Sequence, residues 1–148
     1  MALPPRDYLK YYKVIRQYFK AKHKISQAEL DVLIFMYSEG YFNRERFADF
    51  EKILPWNKQR FHQMLKDGWF EVFRKKVGQR ATIYQMSDKG KLIVADLYRK
   101  LNGQDIPVQK CNNPIFLKRK AKYSEKVYKD MIIEMNNFNK QQRHQSPE

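Results

Sequence analysis

Lys58, Gln59, His62, Gln63 and Lys66 fall in the stretch PWNKQRFHQMLKDG, residues 55–68, at spacings that place them on one side of a helix. Their chemistry is hydrogen bonding and positive charge. Amides pair with adenine edges, and Lys or Arg with guanine. Asn57 belongs to the same surface, and Arg60 is placed to reach phosphate from its border. A second group follows within RKKVGQR: Arg74, Lys75, Lys76, Gln79 and Arg80. Cations crowded around one tight turn repel each other unless an anion sits among them. Each lysine or arginine that meets a phosphate adds roughly one counterion to the salt dependence of binding.

Covalent and metal chemistry find less support. His23, His62 and His144 are far apart and show no ligand spacing with Cys111. There is no glycine-rich phosphate loop and no carboxylate pair suited to acid–base work. The expectation is therefore no enzyme, no metal and no cofactor. Cys111, in QKCNNP, is the weakest candidate of all, as a redox sensor within a linker.

The elements that must position the two groups can be read from periodicity. Pro55 opens the 55–66 helix and Gly68 closes it. Phe61, Met64 and Leu65 form its apolar face. Upstream, SQAE is a capping box at Ser26 and Glu29. It starts a helix carrying Leu30, Leu33, Ile34 and Tyr37 that ends at Gly40. Asn43 caps the next helix, with Phe47, Phe50 and Ile53 or Leu54 facing inward. Downstream, WFEVFRKKV reads as a strand, GQ as a turn and RATIYQM as the returning strand. Ser87 and Asp88 then begin a helix with a stripe of Leu92, Ile93, Leu97 and Leu101.

Both ends of the chain add amphipathic helices. Residues 6–24 repeat Tyr8, Tyr12, Ile15 and Phe19, with Tyr11 and Tyr18 beside them. Residues 120–140 carry Val127, Met131, Met135 and Phe138 on one face. The organisation expected is an N-terminal helix in 1–25, a domain in 26–101, a linker in 102–119, a C-terminal helix in 120–142 and a disordered tail in 143–148.

Composition bounds the partners. The chain of 148 residues carries a net charge of +14. Residues 1–25 hold seven Lys/Arg against Asp7 alone, and residues 110–148 hold nine against four acids. Such a field favours polyanions, nucleic acid first. No apolar run approaches the roughly 20 residues of a membrane span, and the first residues lack the apolar stretch of a secretory signal. One cysteine makes no internal disulfide, so a cytoplasmic location is the default.

Two short helices followed by a two-stranded ribbon form a winged helix-turn-helix, in which the second helix enters the major groove and the ribbon reaches the backbone. The expected fold is mainly α with a two-stranded β wing, flanked by N- and C-terminal helices. At SQAELDVLIFMYSEG, MLKDGWFEVF and RATIYQMSDKGK, where Arg80, Ser87 and Gly90 hold recurrent positions, residues 26–101 resemble the MarR family of winged-helix transcription regulators. The resemblance implies a homodimer on double-stranded DNA. Residues 55–66 would be the recognition helix and 74–80 the wing. The terminal helices would supply the dimer interface through Tyr8, Tyr12, Ile15, Phe19, Val127, Met131, Met135 and Phe138. It also implies room for a small aromatic effector between dimer helices and winged domain.

Other readings stay open. The same module can serve as a protein-interaction or non-specific architectural nucleic-acid-binding domain. The basic, tyrosine-rich first helix would also suit a membrane surface, although no membrane partner is expected. The terminal stripes can instead pack within the chain.

Overall fold

In the computed structural model the chain is mainly helical with one small antiparallel sheet. It describes residues 7–53, 58–109, 112–116 and 123–145. The helices are α1 (Tyr8–His23), α2 (Gln27–Met36), α3 (Arg44–Glu51), α4 (Lys58–Lys66), α5 (Asp88–Leu101) and α6 (Tyr123–Gln145). The strands are β1 (Phe70–Arg74) and β2 (Ile83–Met86), with short 3-10 turns at Tyr37–Glu39 and Pro114–Phe116. The chain divides into two compact units. One runs from Ser26 to Ala95, and the other joins the residues up to Ile25 with those from Asp96 onward.

Local chemistry sets the helix ends of the Ser26–Ala95 unit. The Ser26 hydroxyl accepts the Glu29 amide at 3.2 Å, which caps α2, and donates to the Glu29 carboxylate at 3.0 Å, so the two polar side chains of SQAE meet each other. Asn43 Oδ1 accepts the Arg46 amide at 2.9 Å. Gly40 breaks the preceding helix with a φ of +69°. Arg46 then forks onto Glu39 through two bonds of 3.2 Å. The bonds that Arg46 donates to Glu39, and the charge of that carboxylate, push the guanidinium pKa of Arg46 further up. Phe47 and Phe50 are buried as their spacing predicts, whereas Ile53 is 72% exposed just past the end of α3. Leu54 lies outside the described residues.

The sheet is larger than the sequence alone suggests. Phe70 pairs with Met86, Glu71 with Gln85 and Val72 with Tyr84. On the other side of β2, Phe42 and Tyr84 exchange backbone bonds of 3.0 and 2.7 Å. A single bridging residue before α3 thus gives β2 a partner on each edge. Along β2, Tyr84 and Met86 are buried while Ile83 and Gln85 are half-buried, as strand alternation requires. On α5 the buried stripe is Gly90, Ile93, Val94 and Leu97. Leu92 falls off it and is exposed, because it is turned about 200° around the helix from Val94, on the side away from the stripe.

The other unit corrects three expectations. Its core includes Val14, Ile15, Tyr18 and Phe19 of α1 with Ile132 and Met135 of α6. Ile15, Phe19 and Met135 are buried within one chain, so they are core side chains rather than a free surface for a second copy. Tyr8 and Val127 are exposed, and Tyr12, Met131 and Phe138 are half-buried. Tyr11 meets Phe138 edge-on at 5.9 Å.

The segment expected as a linker from 102 is held at several points of its described part, with Gly103, Ile106, Asn113 and Ile115 buried. Asn136 on α6 grips the Ile106 backbone by two bonds of 2.9 Å, accepting its N–H and donating to its carbonyl. Ile106 is buried, and fully buried Asn113 closes the following turn onto Pro107 and Ile115. Cys111 lies outside the described residues.

The tail expected from 143 begins inside a helix. Arg143 donates to the Gly103 carbonyl at 3.1 Å and pairs with Asp105 through two bonds of 3.3 Å. That anchor carries α6 onward to Gln145.

Candidate nucleic-acid interface

Helix α4 divides sharply by polarity. Phe61 and Met64 are buried and Leu65 half-buried. Phe61 sits in an aromatic cluster, with ring centroids 4.9 Å from Phe47, 5.1 Å from Tyr84 and 5.9 Å from Phe70. Burying one ring in such a cluster is worth about 2–3 kcal/mol. It also fixes the rotation of the helix, so Gln59, His62, Gln63 and Lys66 stand exposed on the other side. Arg60 is half-buried at the border of this face. Lys58 is the first residue of α4, and Asn57 lies outside the described residues.

Not every polar group on this face is uncommitted. Gln63 donates its amide to Asp67 Oδ1 at 3.0 Å, one turn further on. Its carbonyl oxygen keeps the acceptor role. Gln59, His62 and Lys66 provide the clearer outward set.

The passage from α4 to β1 is a tight cap. The Trp69 amide donates to the Met64 carbonyl at 2.9 Å, and the Gly68 amide to Leu65 at 3.2 Å. Gly68 takes a φ of +82° to permit this. Trp69 is buried under Lys89, whose ammonium lies 4.0 Å from the ring centroid and donates to the Asp67 carbonyl at 3.1 Å. The ribbon therefore leaves the helix at a set angle.

Beyond β1 the chain turns at Val77–Arg80. These two residues exchange backbone bonds of 3.0 and 3.2 Å around Gly78 and Gln79. Gly78 has a φ of +58° and Gln79 does not enter the positive region, an arrangement that suits a glycine-first hairpin turn. The regular strands are shorter than the sequence patterns suggest: the ladder shifts register between Val72 and Arg74, and ends where Arg74 meets Ile83. Arg74, Lys75, Lys76, Gln79 and Arg80 are all exposed.

Arg44 was not legible as a site residue. It follows the Asn43 cap, donates from Nε to the Tyr84 hydroxyl at 3.3 Å and lies 5.9 Å from the Phe61 ring centroid. With Lys76, Gln79 and Thr82 it lines a cleft of about 520 Å³ between the start of α3 and the ribbon. Its only sequence signal is a basic residue one place after a helix cap, which many surface arginines share.

Among the described residues no group of His, Cys, Asp and Glu is placed to hold a metal ion, and no helix is long and apolar enough to cross a membrane. No protein-family model, curated protein or solved structure matches the chain. The candidate site is defined by its geometry. It comprises one helix face of hydrogen-bonding and basic groups, joined by a stiff cap to a ribbon whose turn is basic and exposed.

Proposed function

We propose that this chain is a sequence-specific double-stranded DNA-binding transcription regulator with a MarR-like winged helix-turn-helix. The observation that carries the reading is the adjacency just described. The outer face of α4 is exposed and polar, and Gly68 leads from it directly into a ribbon with four cations near its turn. The order α2, Phe42 bridge, α3, α4, β1, β2, α5 supports a winged helix. A major groove about 12 Å wide admits such a helix.

In this reading Gln59, His62 and Lys66 meet base edges, with Gln63 as an acceptor. Asn57 and Lys58 open the same surface. Arg74, Lys75, Lys76 and Arg80 hold phosphates beside the groove, and Arg44 and Arg60 add contacts at the border. Phosphate contacts supply affinity and register, and base contacts supply sequence choice. The protein acts as a homodimer, so its site is a palindrome with half-sites about one helical turn apart. Ile15, Phe19 and Met135 are occupied within the chain, which leaves Tyr8, Val127 and their half-buried neighbours as the dimer surface on the terminal helices.

The test is fluorescence anisotropy with a genomic fragment pool and a salt series. A preferred fragment bound at least ~1000-fold more tightly than the rest supports a sequence-specific regulator. Uniform, weak binding to all fragments replaces it with an architectural binder. No binding at low salt sinks both readings and leaves a protein-interaction module.

A further inference from the structure

The Tyr41 and Phe73 rings meet on the ribbon with centroids 4.2 Å apart and planes 32° from parallel. Tyr41 is 60% exposed and Phe73 53%. Two large rings in contact with each other and still open to solvent are an unusual expense for a surface. Neither belongs to the polar face of α4.

Backbone geometry explains how they reach this place. Phe42 pairs with Tyr84, and both side chains are buried. Tyr41, one residue earlier, is therefore turned to the opposite side. On β1 the register shift falls between Val72 and Arg74, so Phe73 is the extra residue of a bulge. Bulges re-aim side chains in this way.

The surroundings favour one kind of occupant. Across residues 70–86 there are four cations, Arg74, Lys75, Lys76 and Arg80, against Glu71 alone. The Glu71 carboxylate already accepts the Gln85 amide at 2.8 Å. Two largely exposed rings on a ribbon this rich in cations match a flat heterocycle carried on a negatively charged chain. In a duplex the base faces are covered by stacking, so the partner must be unpaired. Base–aromatic stacking tolerates any sequence, because every base presents a π face.

We propose that Tyr41 and Phe73 form a stacking platform for an unpaired base of single-stranded nucleic acid, with Arg74 and Lys75 meeting its phosphates. The platform goes beyond the duplex reading and does not depend on it.

The full-length chain is titrated into a labelled oligothymidylate of about 12 nucleotides, within the span one small domain covers. A duplex of equal length is run in parallel, both at low salt. Phe73→Ala and Tyr41→Ala should each weaken single-strand binding roughly tenfold. Duplex affinity and the salt slope should stay unchanged, because no cation is lost. Phe73→Tyr should keep wild-type affinity, and Phe73→Trp should show indole quenching when the oligonucleotide is added. Lack of single-strand binding by the wild type overturns the proposal, as does equal loss on both ligands. Unchanged single-strand affinity in Phe73→Ala, with a dimer-to-monomer shift in sedimentation velocity, assigns the rings to a second copy instead. Duplex loss in Lys75→Ala and Lys76→Ala is read separately, so the duplex reading stands or falls by its own result.

Discussion

The Ser87 hydroxyl lies 2.6 Å from the Gly68 carbonyl, nineteen residues earlier in the chain. It also stands 3.0 Å from the Trp69 carbonyl and accepts the Gly90 amide at 3.3 Å. One side chain thus caps α5 and fastens it to the point where α4 turns into the ribbon. The two halves of the candidate interface are held in register by this contact.

Ser87→Ala should therefore cost more than an ordinary cap. Loss of the cap and of a buried bond to a carbonyl predicts about 1–2 kcal/mol of destabilisation. Thermal melts followed by circular dichroism would show it, with Ser87→Thr close to wild type. An alanine variant that melts with the wild type would remove Ser87 from this role.

Gly90 tests the same junction by size. A Cβ there would sit 2.7 Å from Met86 Cγ and 3.2 Å from the Trp69 carbonyl oxygen. Alanine normally favours a helix over glycine by about 1 kcal/mol. Overpacking of about 1–3 kcal/mol opposes this, and the fixed backbone at Trp69 decides the sign. Gly90→Ala should lower the urea midpoint, and adding Met86→Ala should not restore it fully. A rise in the midpoint would show that Met86 moves aside freely.

Asn136 predicts a local effect in the other unit. Its two bonds to the Ile106 backbone act like one rung of a strand pair. Asn136→Ala leaves a half-buried amide and carbonyl without that partner, at a cost of about 2–3 kcal/mol. Hydrogen exchange should quicken at the Ile106 amide well before it does in α4. Asn136→Asp keeps the acceptor and should protect that amide better than alanine does. Equal protection in all three proteins would refute the clamp.

The ribbon cations should act through salt. Lys75→Ala and Lys76→Ala should each reduce the slope of log affinity against log salt by roughly one on any duplex. Gln59→Ala and His62→Ala should leave the slope alone and change which fragment is preferred. A slope change confined to one DNA sequence would argue that the lysines read bases rather than phosphates.

Much of this arrangement is legible in the chain itself, for local reasons. Ser26 with Glu29, Asn43, Gly40, Gly68 and Gly78 mark helix ends and turns because capping and positive φ depend on a few adjacent residues. The polar face of α4 follows from 3.6-residue periodicity, with Phe61 and Met64 buried as their spacing requires. The basic turn at 74–80 is a property of composition over seven residues.

Tertiary structure decided what depends on partners distant in sequence. Nothing local to Phe42 announces a bridge to Tyr84, and nothing in EVFR announces the bulge that turns Phe73 toward Tyr41. The apolar stripes of α1 and α6 were visible, but periodicity shows only that a face must be covered, not whether its cover is the same chain. Packing covers Ile15, Phe19 and Met135 from within. Likewise the proline- and asparagine-rich segment after 102 looks like a linker until Asn136 and Arg143 are found holding its backbone. Caps and periodicity act over three or four residues, whereas the Asn136 and Arg143 clamps reach across thirty and forty, and the contact of α1 with α6 joins opposite ends of the chain.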